Sequence, residues 1–125
     1  MLDILEEIFE QMGVSVSRQG RFLKTGELPD TIFTYWNLGS KIKQIYDNDY
    51  FAIEWEWAVF LYMQDESQIY TKMSEFITMA MEKGFYPDGM GSDVPSDEQN
   101  YVARYVKLKY IENKDLSEGK ENGGE

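Results

Sequence analysis

Two glutamates on one predicted strand are the residues of this chain best placed for acid–base chemistry. Glu54 and Glu56 are separated by one residue, so in an extended strand they share a face, with their Cα atoms about 7 Å apart. Paired carboxylates at such a distance can serve as the acid and the base of a glycosidase. No other polar residues assemble a pocket around them, so we interpret the pair as part of a solvent-facing strand surface.

Two groups of acidic turn residues are candidate ligands for a hard cation. One is the run at residues 47–49, and the other comprises Asp88, Asp93 and Asp97 in a glycine-rich segment. Carboxylate oxygens are the ligands that Ca²⁺ prefers, but neither group has the spacing of a calcium-binding loop. Asp and Asn also accept backbone hydrogen bonds in turns. We therefore interpret both groups as turn residues and expect no metal and no other cofactor.

The composition excludes several kinds of chemistry. The chain has 125 residues with no cysteine and no histidine, which removes disulfides, thiol nucleophiles and the commonest general base and zinc ligand. Acidic residues outnumber basic ones by 23 to 12, a net charge of −11, so the surface as a whole is unsuited to duplex DNA or anionic membranes. The acidic N-terminus lacks a secretory signal and no window approaches a membrane span, so we expect a soluble intracellular protein.

The sequence of the N-terminal half predicts one helix and several strands. Apolar residues at helical spacing predict a first helix over residues 2–12, and Gly13 is a suitable C-cap. Alternation at residues 14–16 predicts a strand that forms a hairpin with a return arm at residues 22–23. A run of β-formers at residues 31–36 predicts the next strand.

The second half contains the clearest patterns. Residues 51–63 alternate apolar side chains at every second position, which predicts a long strand after a polar, turn-rich segment at residues 41–50. Asp65 is a candidate N-cap for a helix over residues 66–83, whose apolar stripe runs from Ile69 to Met81 before Gly84 ends it. A final strand covers about residues 101–111. The core residues expected from these patterns are Trp55, Trp57, Met73, Phe76, Ile77 and Phe85.

This order of elements predicts an α+β fold with one antiparallel sheet and two helices packed on one face. We expect a single domain over residues 1–111. From residue 112 onward the chain contains one large apolar residue and three glycines, which predicts a disordered acidic tail over residues 112–125. That tail accounts for −3 of the net charge, so the folded part is acidic in its own right.

Aromatic and basic residues indicate contact surfaces. Five of the twelve basic residues lie between positions 18 and 43, and the final strand adds three more. They are either solvated strand faces or a basic side that meets an acidic neighbour, which another copy of the chain would provide. Tyrosine and tryptophan exceed what a small core needs, and both are favoured at protein interfaces, although they can also rim a core.

Three segments, in order, carry a resemblance to a known family. They are LPDTIFTYWN at residues 28–37, YDN at residues 46–48 before the tryptophan-rich strand, and a third set within residues 83–112 that includes KGF, GMGSDV, SDE and VKLKYIE. Together they resemble the tail-terminator or head–tail joining proteins of tailed phages and prophages of Gram-positive bacteria. The sequence departs from that pattern after Glu98, where only Arg104 matches an expected His/Thr-Gly-Arg stretch.

The resemblance implies a virion structural protein without catalysis. It would form a ring, commonly a hexamer, that caps the tail tube and joins it to the head. Its partners would be other copies of itself, the major tail tube protein and a head-completion protein, with DNA only passing through the lumen and no membrane involved. We expect contacts from the loops at residues 38–50 and 86–100. The candidate interface residues are Phe33, Tyr35, Trp36, Tyr46, Asp47, Asp93, Asp97 and Arg104.

Alternative functions remain open at this point. Within the structural class, another neck component such as a stopper or an adaptor would fit. An acidic DNA mimic or a small inhibitory binding protein would share the size and charge. An enzyme that uses Glu54 and Glu56 comes last.

Overall fold

In the described residues each of the two α-helices is followed along the chain by a run of three strands, an order typical of an α+β fold. The computed structural model describes residues 1–18, 29–45, 50–96 and 100–115. In these residues the elements are α1 (Leu2–Met12), β1 (Ser15–Arg18), β2 (Thr31–Ile45), β3 (Tyr50–Met63), α2 (Ile69–Glu82, after a 3₁₀ turn at Glu66–Gln68), β4 (Tyr86–Pro87), β5 (Ser92–Val94) and β6 (Val102–Asp115). The α+β prediction is confirmed.

The sheet is mixed. Its strand order is β1-β2-β3-β6-β4, and β5 pairs with β6 beside β4. β1 runs parallel to β2, whereas the other pairs are antiparallel. The prediction of a wholly antiparallel sheet is therefore wrong for β1, because alternation of side chains specifies which face is buried but not the direction in which a strand pairs. The predicted return arm at residues 22–23 lies outside the described residues.

Three long strands form the centre of the sheet. β3 pairs along its whole length with β2 on one side and β6 on the other. Its 14 residues span about 46 Å at about 3.3 Å per residue. β2 continues to Ile45, into the segment predicted to be turn-rich, with irregular register at Asn37/Gly39 and Ile42/Gln44. The turn expected at residues 47–49 lies outside the described residues.

β6 also exceeds its predicted length. It runs to Asp115, four residues into the segment predicted to be a disordered tail, because the backbone there pairs with the start of β3 at Tyr50. Main-chain hydrogen bonds of this kind do not require apolar side chains, which is why composition placed the boundary too early. The rest of the predicted tail, residues 116–125, lies outside the described residues.

Both helices pack on one face of the sheet, as predicted. The ring of Phe9 in α1 lies 5.2 Å from those of Phe33 in β2 and Phe76 in α2. The expected core positions Trp57, Met73, Phe76, Ile77 and Phe85 are buried, which confirms them, whereas Trp55 is half-buried at the margin of this core.

The helix ends explain where the apolar stripes stop. Gly13 has a φ of 66° and closes α1 in the left-handed conformation, as predicted. The carboxylate of Asp65 accepts a hydrogen bond from the backbone N–H of Ser67 and so caps the 3₁₀ turn before α2. The buried stripe of α2 ends at Ala80, and Met81 is 56% exposed, so its predicted place in the stripe is wrong. No helix in the described part of the chain is long and apolar enough to span a membrane.

Candidate functional site

Two predicted interface residues, Asp93 and Arg104, form an ion pair. The register of β5 and β6 places them opposite each other, and Nη1 of Arg104 lies 2.7 Å from Oδ1 of Asp93. The hydroxyl of Tyr70 in α2 donates to the other carboxylate oxygen at 2.8 Å. The Arg104 guanidinium also lies 4.8 Å from the centre of the Tyr70 ring, a cation–π distance. One helix and two strands are thus joined through three side chains.

Arg104 also holds residues 86–94, which come earlier in the chain and contain the two short strands that pair with β6. We call this segment the strap. Nη2 of Arg104 donates to the carbonyl oxygens of Met90 at 3.2 Å and Gly91 at 3.1 Å. Gly91 approaches β6 so closely that a Cβ atom there would lie 2.8 Å from the carbonyl oxygen of Tyr105. The strap is therefore ordered against β6, while its side chains Tyr86 and Met90 remain 57% and 53% exposed.

The same contacts shift the pKa values of the groups involved. The hydrogen bond from Tyr70, followed by that from Arg104, holds the pKa of Asp93 below its usual value. The pKa of the Tyr70 hydroxyl is raised, chiefly because it donates a hydrogen bond to the Asp93 carboxylate. Both shifts favour an ionised Asp93 and a protonated Tyr70 near neutral pH, the charge states in which this hydrogen bond forms.

Charge is segregated between the two layers of the molecule. We call α1, the turn at residues 65–68 and α2 through Lys83 the helix layer. It has two lysines, Lys72 and Lys83, and eight exposed acidic side chains, which are Asp3, Glu6, Glu7, Glu10, Asp65, Glu66, Glu75 and Glu82. Among the described side chains of the strands, six are basic and four are acidic. Among the residues that the structure describes, the excess of acidic over basic side chains therefore lies mainly on the helix layer.

The basic residues of the strands are mostly engaged within the sheet. Nζ of Lys41 lies 3.4 Å from Oε1 of Glu54, and Nζ of Lys107 lies 3.1 Å from Oε2 of Glu56. The hydrogen bond from Lys107 lowers the pKa of Glu56. Glu54 is 4% exposed, so the prediction of a solvent-facing pair is wrong for it. Each carboxylate faces a lysine from a neighbouring strand. The lowered pKa of Glu56 favours its ionised form and does not suit it to act as a general acid.

The aromatic interface residues predicted on β2 divide between the two faces of the sheet. Phe33 and Tyr35 are buried under the helices, so their assignment to an interface is wrong. The hydroxyl of Tyr35 donates to Glu6 at 2.7 Å, and burial, followed by this bond, raises the pKa of Tyr35. Trp36 faces the opposite side, half-buried, with its ring 4.9 Å from that of Phe60.

Three further predicted interface residues, Tyr46, Asp47 and Asp97, lie outside the described residues. The sequence did not indicate a site role for Tyr70, and it indicated Met90 and Gly91 only as members of the GMGSDV segment that carries the resemblance. The strap lies within the loop expected over residues 86–100, but the contact of Gly91 with β6 and that of Tyr70 with Asp93 depend on how distant segments pack. Among the described residues, no three His, Cys, Asp or Glu side chains converge in a way that could hold a metal ion.

No protein-family model matches this chain, and no curated protein sequence matches it. The described residues offer contact chemistry: an ordered strap with exposed Tyr86 and Met90 side chains, and a helix layer covered with carboxylates.

Proposed function

We propose that this protein is a virion structural protein at the head–tail junction of a tailed phage or prophage. It acts as a ring-forming tail terminator or tail-completion protein that joins the tail tube to the head, and it carries out no catalysis. The resemblance in residues 28–37, 46–48 and 83–112 supports this role. The observation that carries the proposal is the segregation of acidic side chains onto the helix layer.

DNA must pass through the lumen of such a ring without binding to its wall. Phosphate binding depends on lysine and arginine, and a wall of one negative sign repels the DNA backbone. With the helix layer directed at the lumen, each copy would present eight exposed carboxylates and two lysines to the passing DNA. The sheet, with its excess of bases, would then face neighbouring protein: other copies, the major tail tube protein and a head-completion protein.

The test is to delete the gene from the phage or prophage that encodes it and to examine the particles by electron microscopy. We expect heads and tails that do not join, and normal particles when the wild-type chain is supplied from a plasmid. Gold-labelled antibody should mark the junction of complemented particles. Normal particles from the deletion strain, or the absence of the protein from purified virions, would contradict the proposal.

The helix layer also favours a second candidate, an acidic protein that mimics DNA, because its exposed carboxylates could occupy the phosphate-binding surface of a DNA-binding protein. The two functions differ in their partner. A mimic would bind a DNA-binding protein and be displaced by duplex DNA, whereas a tail terminator would bind the ends of tail tubes. A stopper or an adaptor would be distinguished by the position of the gold label within the neck.

A further inference from the structure

Exposed apolar side chains concentrate at the two opposite edges of the sheet. We call β1 together with residues 36–42 of β2 the first edge, because the described residues of β1 pair with Ile32 to Tyr35 of β2. Val16, Leu38 and Ile42 on this edge are 38%, 45% and 61% exposed. These three side chains are spread along one edge, and exposed apolar groups gathered on one surface mark contact sites more often than those scattered over the whole molecule.

The strap forms the opposite edge, since β4 and β5 lie outside β6 in the strand order. It contributes Tyr86 and Met90, which are 57% and 53% exposed. Of the exposed large hydrophobic side chains in the described residues, only Tyr70 and Met81 lie elsewhere, on α2. Most of the exposed apolar surface of the described residues is thus divided between two patches at opposite ends of the strand order.

The two edges also carry opposite charge. The first edge contains Arg18 and Lys41 and no acidic residue, and Lys41 pairs with Glu54 of β3. The strap contains Asp88 and Asp93 and no basic residue, and Asp93 pairs with Arg104 of β6. Beyond these two ion pairs, the first edge still carries the positive charge of Arg18 and the strap the negative charge of Asp88. Complementary charge around apolar side chains favours association and sets the register of two partners. A second copy of this chain brings both patches and therefore matches each edge.

We propose that the first edge of one copy docks on the strap of the next copy. The contact is head-to-tail, since it joins two different patches, and such contacts close into a ring when the rotation between copies allows it. Because Arg104 already holds the strap in place, docking would cost little of the strap's conformational entropy. This contact would join neighbouring copies within the ring of the proposed function, and the inference rests on that proposal. The contact leaves the outer surface of the helix layer uncovered.

The test uses variants that disable one edge at a time. Ile42→Asp disables the first edge, Met90→Asp disables the strap, and Met81→Asp is a matched control on the helix layer. We expect the purified full-length wild type and the control to give the same oligomer mass by light scattering, and each edge variant to be monomeric. An equimolar mixture of the two edge variants should give dimers and nothing larger, because each variant keeps one intact edge. Circular dichroism verifies that all variants are folded.

Crosslinking provides a second measurement, since the chain has no cysteine of its own. Ile42→Cys and Met90→Cys are made as two separate variants and then mixed. A short bismaleimide should crosslink position 42 of one variant to position 90 of the other in the mixture, and it should crosslink neither variant alone. A contact between identical edges would instead crosslink one of the single variants, which overturns the proposal. A monomeric wild type with no crosslink between positions 42 and 90 at the highest soluble concentration overturns it as well.

The two proposals fail separately. If the edges drive oligomerisation but the protein is absent from virions, the head–tail role is wrong and the interface stands. If the protein occupies the junction and the edge variants assemble and function like the wild type, the interface is wrong and the role stands.

Discussion

The guanidinium of Arg104 and the carboxylate of Asp93 fasten the strap to the sheet. Their closest atoms lie 2.7 Å apart across the β5–β6 pair, and the same guanidinium binds the carbonyl oxygens of Met90 and Gly91. β4 and β5 contribute only two and three residues to the sheet, so backbone pairing alone holds the strap at few points. A single side chain therefore organises the segment that carries the exposed Tyr86 and Met90.

Replacing Arg104 by alanine should release the strap without unfolding the sheet. We expect faster hydrogen–deuterium exchange at the amides of residues 88–94, with exchange in β3 unchanged. Arg104→Lys should give an intermediate result, because lysine can still pair with Asp93 but cannot bind the two carbonyl oxygens in the same geometry. Lys72→Ala, which removes a surface ion pair with Glu75, is the control. Unchanged exchange in the strap of Arg104→Ala would contradict this role.

The ionisation of Asp93 should contribute to stability in a defined pH range. Its pKa lies below the usual 3.8, chiefly because Tyr70 and then Arg104 donate to the carboxylate. Since the folded-state pKa is lowered, the contribution is complete above about the unfolded value and is lost as the pH falls through the folded value. Titration of the Asp93 carboxyl by NMR should give a midpoint below 3.8, and Tyr70→Phe should raise it. An unaltered midpoint in Tyr70→Phe would show that its hydroxyl does not stabilise the anion.

Patterns that repeat along the chain predicted the fold well, and contacts between distant segments were not predictable. The alternation in β3 and the stripe of α2 identified Trp57 and Phe76 correctly, because burial of one face imposes a period on the sequence. β2 has large side chains on both faces, such as Tyr35 and Trp36, so the sequence does not indicate which face the helices cover. The pairing of Asp93 with Arg104 depends on the register between β5 and β6, which no local spacing encodes.

Phe33 tests the corrected orientation of β2. Its side chain is fully buried between the sheet and the helices, within 5.2 Å of the rings of Phe9 and Phe76. Phe33→Ala should therefore lower the free energy of unfolding by about 3–5 kcal/mol, as measured by urea denaturation. Met81→Ala, at a 56% exposed position, should change it by less than about 0.5 kcal/mol. A similarly small loss for Phe33→Ala, with weakened self-association, would restore its assignment to an interface.

Gly91 and Gly89 offer a matched pair of glycines in the strap. Both have positive φ values, 95° and 81°, but only at Gly91 would a Cβ atom meet backbone, 2.8 Å from the oxygen of Tyr105. Gly89→Ala should lower the free energy of unfolding by about 1–2 kcal/mol, because alanine is strained in the left-handed conformation of this residue. Gly91→Ala should cost more and should also increase hydrogen exchange in the strap, because β6 cannot move aside. Equal losses in urea denaturation would mean that the close approach to Tyr105 does not constrain the strap.

The charge of the helix layer can be tested in the assembled particle. If this layer lines the lumen, the triple variant Glu66→Gln, Glu75→Gln, Glu82→Gln should slow DNA ejection or trap DNA, because fewer carboxylates repel the phosphates. The matched control replaces the same three residues by aspartate, which keeps the charge and shortens each side chain by one carbon. Ejection rates are measured by fluorescence of a DNA-binding dye after receptor triggering. Because all three side chains are exposed, both variants should fold and assemble. Ejection at the wild-type rate from correctly assembled glutamine particles would show that this layer does not face the passing DNA.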